Sequence, residues 1–150
     1  MLSANLIRMI SDHWEEIAER VLRRVRRDSK LLEFGKLPEP ELRERAREIL
    51  QNLGNWMVSL REEELAQRYE RLGRQRYEEG IPLHEVVYAL HLLKECMIQY
   101  VRDAGLRQTP IELYAEEELQ RGADRVFDTL VYYFVRGYER AMRDRAAQAA

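Results

Sequence analysis

Glycine and proline act as punctuation in this chain. Pro38, Pro40, Pro82 and Pro110 fall where helices can begin, and Gly35, Gly80 and Gly105 fall where they can end. With only 4 prolines and 7 glycines in 150 residues, the long intervals between them are free to run as helix. No stretch carries the two-residue alternation of a strand. The pattern predicts an all-α chain: one domain over residues 1–150, folded as a single five-helix bundle that ends in a long C-terminal helix.

The first helix is expected over about Ala4 to Arg27, where Leu6, Ile7, Ile10, Trp14, Ile17, Ala18, Val21, Leu22 and Val25 keep helical spacing. At ~100° per residue they fill about 160° of the wheel, the face of a half-buried helix. A second runs from about Glu39 to Leu60. A third, Glu62 to Glu79, opens with three glutamates at the positive end of its dipole and stops at Gly80. A fourth runs from Pro82 to about Asp103. Thr109, Pro110 and Glu112 then form a capping box with proline in the first turn. The fifth helix can continue from there to about Arg145, some 50 Å at ~1.5 Å per residue.

Composition sets the class. Apolar residues make up 45% of the chain and charged residues 35%, which suits a soluble globular domain and neither a disordered tail nor a membrane protein. The opening MLSANLIRMISDHW has no secretory-signal pattern, so a cytoplasmic protein is expected. One cysteine, Cys96, forbids an internal disulfide and a thiolate zinc site. A net charge of -2 argues against nucleic acid as a partner, and no apolar run approaches a membrane span. Of the 25 basic residues only Lys30, Lys36 and Lys94 are lysine. The cluster Arg20, Arg23, Arg24, Arg26, Arg27 and Lys30 sits in the last turns of the first helix, where positive charge is favoured.

Two helices carry more apolar surface than one face requires. In the fourth, apolar residues from Leu83 to Val101 cover every direction of the wheel, with His84, His91 and Glu95 grouped among them. That mixed face suits a pocket or a partner, near Tyr88, His91 and Glu95. In the fifth, Leu130 to Val135 are six consecutive apolar or aromatic residues, more than a terminal helix of a monomer can hide. Self-association is the expected remedy, with Val131, Tyr132, Phe134, Val135 and Tyr138 at a homodimer interface. Gly122 and Gly137 in the same helix permit close approach of a crossing helix. Arg76 lies on the line of Leu65, Tyr69 and Leu72, the centre of the third helix's apolar face. Either it snorkels to water from the last turn, or it recognises an anionic ligand or a partner's acidic group.

Catalytic and metal signatures are missing. His84 and His91 are two turns apart, about 10 Å, too far to share one ion. There is no Glu-x-x-His pair, no Gly-x-Ser-x-Gly and no phosphate-cradling or dinucleotide loop. No catalytic residue, metal ligand or cofactor is assigned, and the chain is not expected to be an enzyme. A haem gas sensor fits the length, the helix content and a mid-chain His91, but the segment some 30 residues earlier, Leu60 to Glu62, offers no distal histidine.

The stretch YERLGRQRYEEGIPLHEVVYAL, Tyr69 to Leu90, resembles the N-terminal helical domain of RsbT co-antagonist (RsbRD-type) stress-signalling proteins. The opening Trp14 helix and the long last helix fit the same layout, so the resemblance extends over nearly the whole chain. It implies a non-catalytic, dimeric sensory or regulatory module, distantly globin-like, that passes a signal through its final helix. The chain ends at Ala150, which fits either an excised sensor domain or a stand-alone protein acting on others. The expected function is a bacterial signal-transduction sensor or interaction domain taking a small ligand or a signalling partner, with Arg76, Tyr88, His91 and Glu95 as ligand residues. A haem-binding sensor and a ligand-free dimerisation scaffold are the alternatives.

Overall fold

The computed structural model describes residues 1–105 and 109–150. Six α-helices form nearly all of it: α1 (Ala4–Asp12), α2 (Trp14–Arg27), α3 (Glu39–Val58), α4 (Glu62–Glu78), α5 (Leu83–Ala104) and α6 (Pro110–Ala149). Two short 3-10 turns, Ser29–Leu31 and Phe34–Lys36, occupy the connector from α2 to α3. There is no strand among the described residues.

The count is six rather than five because the first predicted helix is broken. The apolar period runs on through Ile10, Trp14 and Ile17, yet the backbone at His13 turns out of the helical region at φ -110°, ψ 26°. Ser11, Asp12 and His13 are weak helix formers that offer the backbone competing partners. Glu15 and Glu16 then give α2 its own acidic first turn. The starts of α3, α5 and α6 and the ends of α4 and α5 follow the punctuation, while the junction between α3 and α4 at Ser59–Arg61 has neither glycine nor proline. Pro82 caps α5, Gly80 leaves α4 at φ 78°, and Thr109 with Glu112 forms the capping box of α6. At 40 residues α6 is about 60 Å long.

One large core gathers Ile10, Ile17 and Val25 with Leu50, Leu53, Leu65, Leu92, Met97, Leu119, Phe127 and Leu130. A second, smaller cluster holds Ile81, Val86 and Phe134, with Phe34, Leu37, Leu72, Leu83 and Tyr138 packed around it. The helix α5 is central, burying Val86, Ala89, Leu92, Leu93, Cys96 and Met97 while His84, His91 and Glu95 stay in water. Each large apolar side chain so buried is worth roughly 1.5–3 kcal/mol.

Helices α4 and α6 lie backbone against backbone and run the same way. A Cβ on Gly73 would stand 2.2 Å from the carbonyl oxygen of Phe134, and one on Gly137 would stand 2.2 Å from that of Glu70. Gly137 therefore does permit close approach of a crossing helix, and that helix belongs to the same chain. Around this contact Glu70 pairs with Arg136 and, at 3.3 Å, with Arg140, while Arg74 reaches Asp144 at 2.6 Å. Tyr138 stacks on Tyr77 and donates its hydroxyl proton to the Ile81 carbonyl at 2.8 Å.

The run Leu130 to Val135 is thus not buried all round. Leu130 and Phe134 have no exposed surface, Val131, Tyr133 and Val135 are half-buried, and Tyr132 is 59% exposed. Phe134 fills the second cluster inside its own protomer, which removes it from the surface a partner could touch. Tyr138 likewise points inward. Three members of the arginine cluster on α2 tie it to α5 and α3: Arg20 pairs with Asp103, Arg24 with Glu95 and Arg26 with Glu39.

Candidate functional site

Where α2, α3, α4 and α5 meet, the interior is not filled. A cavity of about 70 Å³ remains, walled by Ala18 and Val25 of α2, Ala46 and Ile49 of α3, Tyr69, Leu72 and Arg76 of α4, and Val86, Ala89 and Leu93 of α5. Phe34 of the connector closes it from the side. The small residues Ala18, Ala46 and Ala89 leave this room, because side chains ending at Cβ cannot span the gap between facing helices. Burial pushes the Tyr69 hydroxyl well above its usual pKa, and its ring meets Trp56 edge-on at 6.5 Å.

Arg76 is the one deeply buried cation on this wall, at 2% side-chain exposure. Its Nη1 donates to Glu41 Oε1 at 2.8 Å and to Glu79 Oε1 at 2.7 Å. Gln75 also donates to Glu41 Oε1 at 3.3 Å. A guanidinium out of water needs such partners, since an unpaired buried charge is strongly unfavourable. So Arg76 does not snorkel, and the acidic groups it recognises come from α3 and from the end of its own helix.

Glu85 is the second buried charge, and sequence reasoning missed it. Its Oε1 accepts the backbone N–H of Glu33 at 3.0 Å and of Phe34 at 3.1 Å. An acidic residue in the first turn of a helix looks like ordinary dipole pairing. Only its burial, set against partners some 50 residues away, reveals that it anchors the connector. Tyr88, one turn on, donates its hydroxyl to Asp28 Oδ2 at 2.7 Å, and Lys30 lies 5.5 Å over its ring. That hydrogen bond to Asp28 pushes the Tyr88 hydroxyl pKa up. The Lys30 N–H, followed by Tyr88, holds the Asp28 carboxyl below its usual range.

The four residues expected to bind a ligand do not share one site. Arg76 lines the interior cavity, and Tyr88 fastens the connector. His91 and Glu95 are exposed on a shallow cleft with Lys94, Ile98, Gln99 and Arg102, where Glu95 pairs with Arg24 at 3.3 Å. All three histidines are exposed, and none lines the cavity. Among the described residues no group of three or more His, Cys, Asp or Glu side chains is placed to hold a metal ion. No helix among the described residues is long and apolar enough to cross a membrane.

A family model, the RsbT co-antagonist protein rsbRD N-terminal domain, matches residues 15–150. The chain belongs to this family. The match takes in both buried charges, the connector and the whole of α6, and it begins at the first turn of α2, leaving α1 outside. No curated protein and no solved structure matches the chain. Within this RsbRD domain the cavity and the α4–α6 contact are neighbours. Phe34, Leu72 and Val86 line the cavity on one side and pack in the Phe134–Tyr138 cluster on the other.

Proposed function

We propose that this RsbRD domain is a non-catalytic sensor or interaction module of a bacterial signalling system, working in the cytoplasm as a homodimer. An event in its core, or a partner's docking, shifts α6 relative to its dimer mate, the kind of small helix displacement that packed interfaces support. The observation that carries this reading is the shared wall: Phe34, Leu72 and Val86 touch both the cavity and the cluster that seats α6. The Tyr138 hydrogen bond to Ile81 and the glycine contact at Gly73 and Gly137 leave α6 little freedom to move independently of the α4–α5 corner. On the outer side of α6, Val131, Tyr132 and Val135 keep exposed apolar surface for a second copy.

Two measurements test it. Light scattering on the whole chain is expected to give twice 18.0 kDa at micromolar concentration. A spin label on the exposed Met142→Cys position, with Cys96 buried and slow to react, then reports the distance between the two α6 helices. Trimming the shared wall with Val86→Ala is expected to change that distance. A monomer overturns the dimer, and an unchanged distance overturns the relay.

A further inference from the structure

Protein interiors contain few voids larger than a water molecule, and the half-open cavity of about 70 Å³ among these four helices leaves room for a small guest. Water is a poor candidate. An ordered buried water needs two to four polar partners, and most of the wall here is aliphatic, Ala18, Val25, Ile49, Ala89 and Leu93 among it, with polar side-chain atoms only on Tyr69, Arg45 and Arg76. The buried charge among them, Arg76, already faces two carboxylates at 2.7 and 2.8 Å.

Charge narrows the choice. The two cations on the wall already have partners, Arg76 in Glu41 and Glu79 and the half-buried Arg45 in Glu48 at 3.6 Å, so neither is left unpaired for an incoming anion. A cation would lose its hydration to a wall of methyl groups. The site therefore selects for a neutral molecule. Size narrows it again: an apolar cavity of about 150 Å³ admits benzene or xenon, and this one offers roughly half that space. Phe34, in the short connector held by Glu85 and Tyr88, is half-buried and with the half-buried Val21, Leu42 and Leu90 marks the side on which the cavity nears the surface.

We propose that the cavity between α2, α3, α4 and α5 is a binding site for one small, uncharged, apolar molecule, a gas or a hydrocarbon of about three to four carbons. The molecule rests on Ala46, Leu72 and Ala89 and enters beside Phe34. This deepens the sensor reading and depends on it only for what occupancy does to α6.

Xenon is the probe, followed by methyl NMR of the whole chain during pressurisation. Saturable shifts are expected at the Ala18, Ala89 and Leu93 methyls, with no comparable change at exposed Leu32 or Val58. Ala46→Leu, which extends into the cavity, is expected to weaken those shifts at least tenfold. Ala89→Val serves as a milder filling variant should Ala46→Leu fail to fold. Butyrate and butylamine, the charged arms, are expected to cause no saturable change at the same methyls. Absence of saturation with xenon, equal response in a folded cavity-filled variant, or tighter binding of butyrate than of xenon would each overturn the site. The Met142→Cys label distance is read on the xenon-loaded sample. Cavity shifts without a change there leave the site standing and count against the relay alone.

Discussion

Gly137 of α6 sits directly on Glu70 of α4: a Cβ at position 137 would stand 2.2, 2.5 and 2.7 Å from three backbone atoms of that one residue. Backbone cannot turn aside as a side chain can, so Gly137→Ala must push the two helices apart. Overpacking of this kind costs about 1–3 kcal/mol or more, which outweighs the ~1 kcal/mol that alanine gains over glycine as a helix former. Gly122 is the control on the same helix. Its added Cβ would meet Met57 Cε at 2.2 Å, the far end of a flexible side chain. Urea unfolding is therefore expected to show Gly137→Ala destabilised by about 2 kcal/mol and Gly122→Ala close to neutral or slightly stabilised. Equal effects at the two positions would contradict the packing.

Arg76 joins α3 to α4 through Glu41 and Glu79, and those carboxylates keep 27% and 31% of their side-chain surface exposed. Breaking a fully buried pair costs about 3–5 kcal/mol; partial solvation of the partners lowers the expectation for Arg76→Leu to roughly 2–3 kcal/mol. Adding Glu41→Gln removes one of the stranded charges and is expected to recover a good part of that loss. A double-mutant cycle in chemical denaturation measures the coupling. Simple additivity would mean that the two side chains do not act on each other.

The helix ends were largely legible because their signals are local. Thr109 and Glu112 are three residues apart, Pro82 and Gly80 act on their own backbone, and the structure uses all of them. The break at His13 was hidden, since the apolar period continues across it from Ile10 to Ile17. Pairings between distant residues were hidden for a different reason. A helical wheel places Arg76 on an inner face without saying that Glu41, 35 residues earlier, will be waiting there. It shows that six apolar residues around Phe134 want burial, but not that the same chain's Ile81 and Val86 supply part of it. The cavity is subtler still, a product of three alanines brought together from three helices.

Asp28 and Tyr88 fasten the connector between two pH limits. The folded-state pKa of Asp28 is depressed, first by the Lys30 N–H and then by Tyr88, so its contribution is present above the unfolded value near 3.9 and is lost as pH falls through the lower folded value. Tyr88 runs the other way. Its folded pKa is raised by the hydrogen bond to Asp28, so its contribution is present below about 10 and is lost as pH rises through the raised folded value. Ultraviolet titration of phenolate, with Tyr88→Phe subtracted, is expected to place Tyr88 above the ordinary tyrosine range. In Asp28→Asn that midpoint should fall back toward about 10, because a neutral amide no longer opposes the phenolate. A midpoint indifferent to Asp28→Asn would show that the contact at 2.7 Å does not govern the hydroxyl.

Tyr132 and Phe134 are two residues apart on α6 and face opposite environments, 59% exposed against 0%. Their substitutions separate association from folding. Phe134→Glu puts a carboxylate among Ile81, Val86 and Tyr138 with no cation assigned to it, and a loss above about 4 kcal/mol is expected. Circular dichroism should show that chain unfolded or close to it, whatever its oligomeric state. Tyr132→Glu adds charge on the outer side, where a surface change alone is worth within about 0.5 kcal/mol. Its helical signal and melting profile at high dilution should match the parent. If α6 pairs with its mate as proposed, the added charge lies at the contact, and light scattering should report a single 18.0 kDa chain. A stable Tyr132→Glu dimer would move the interface off this stretch of α6, leaving Phe134 as a core residue of one protomer.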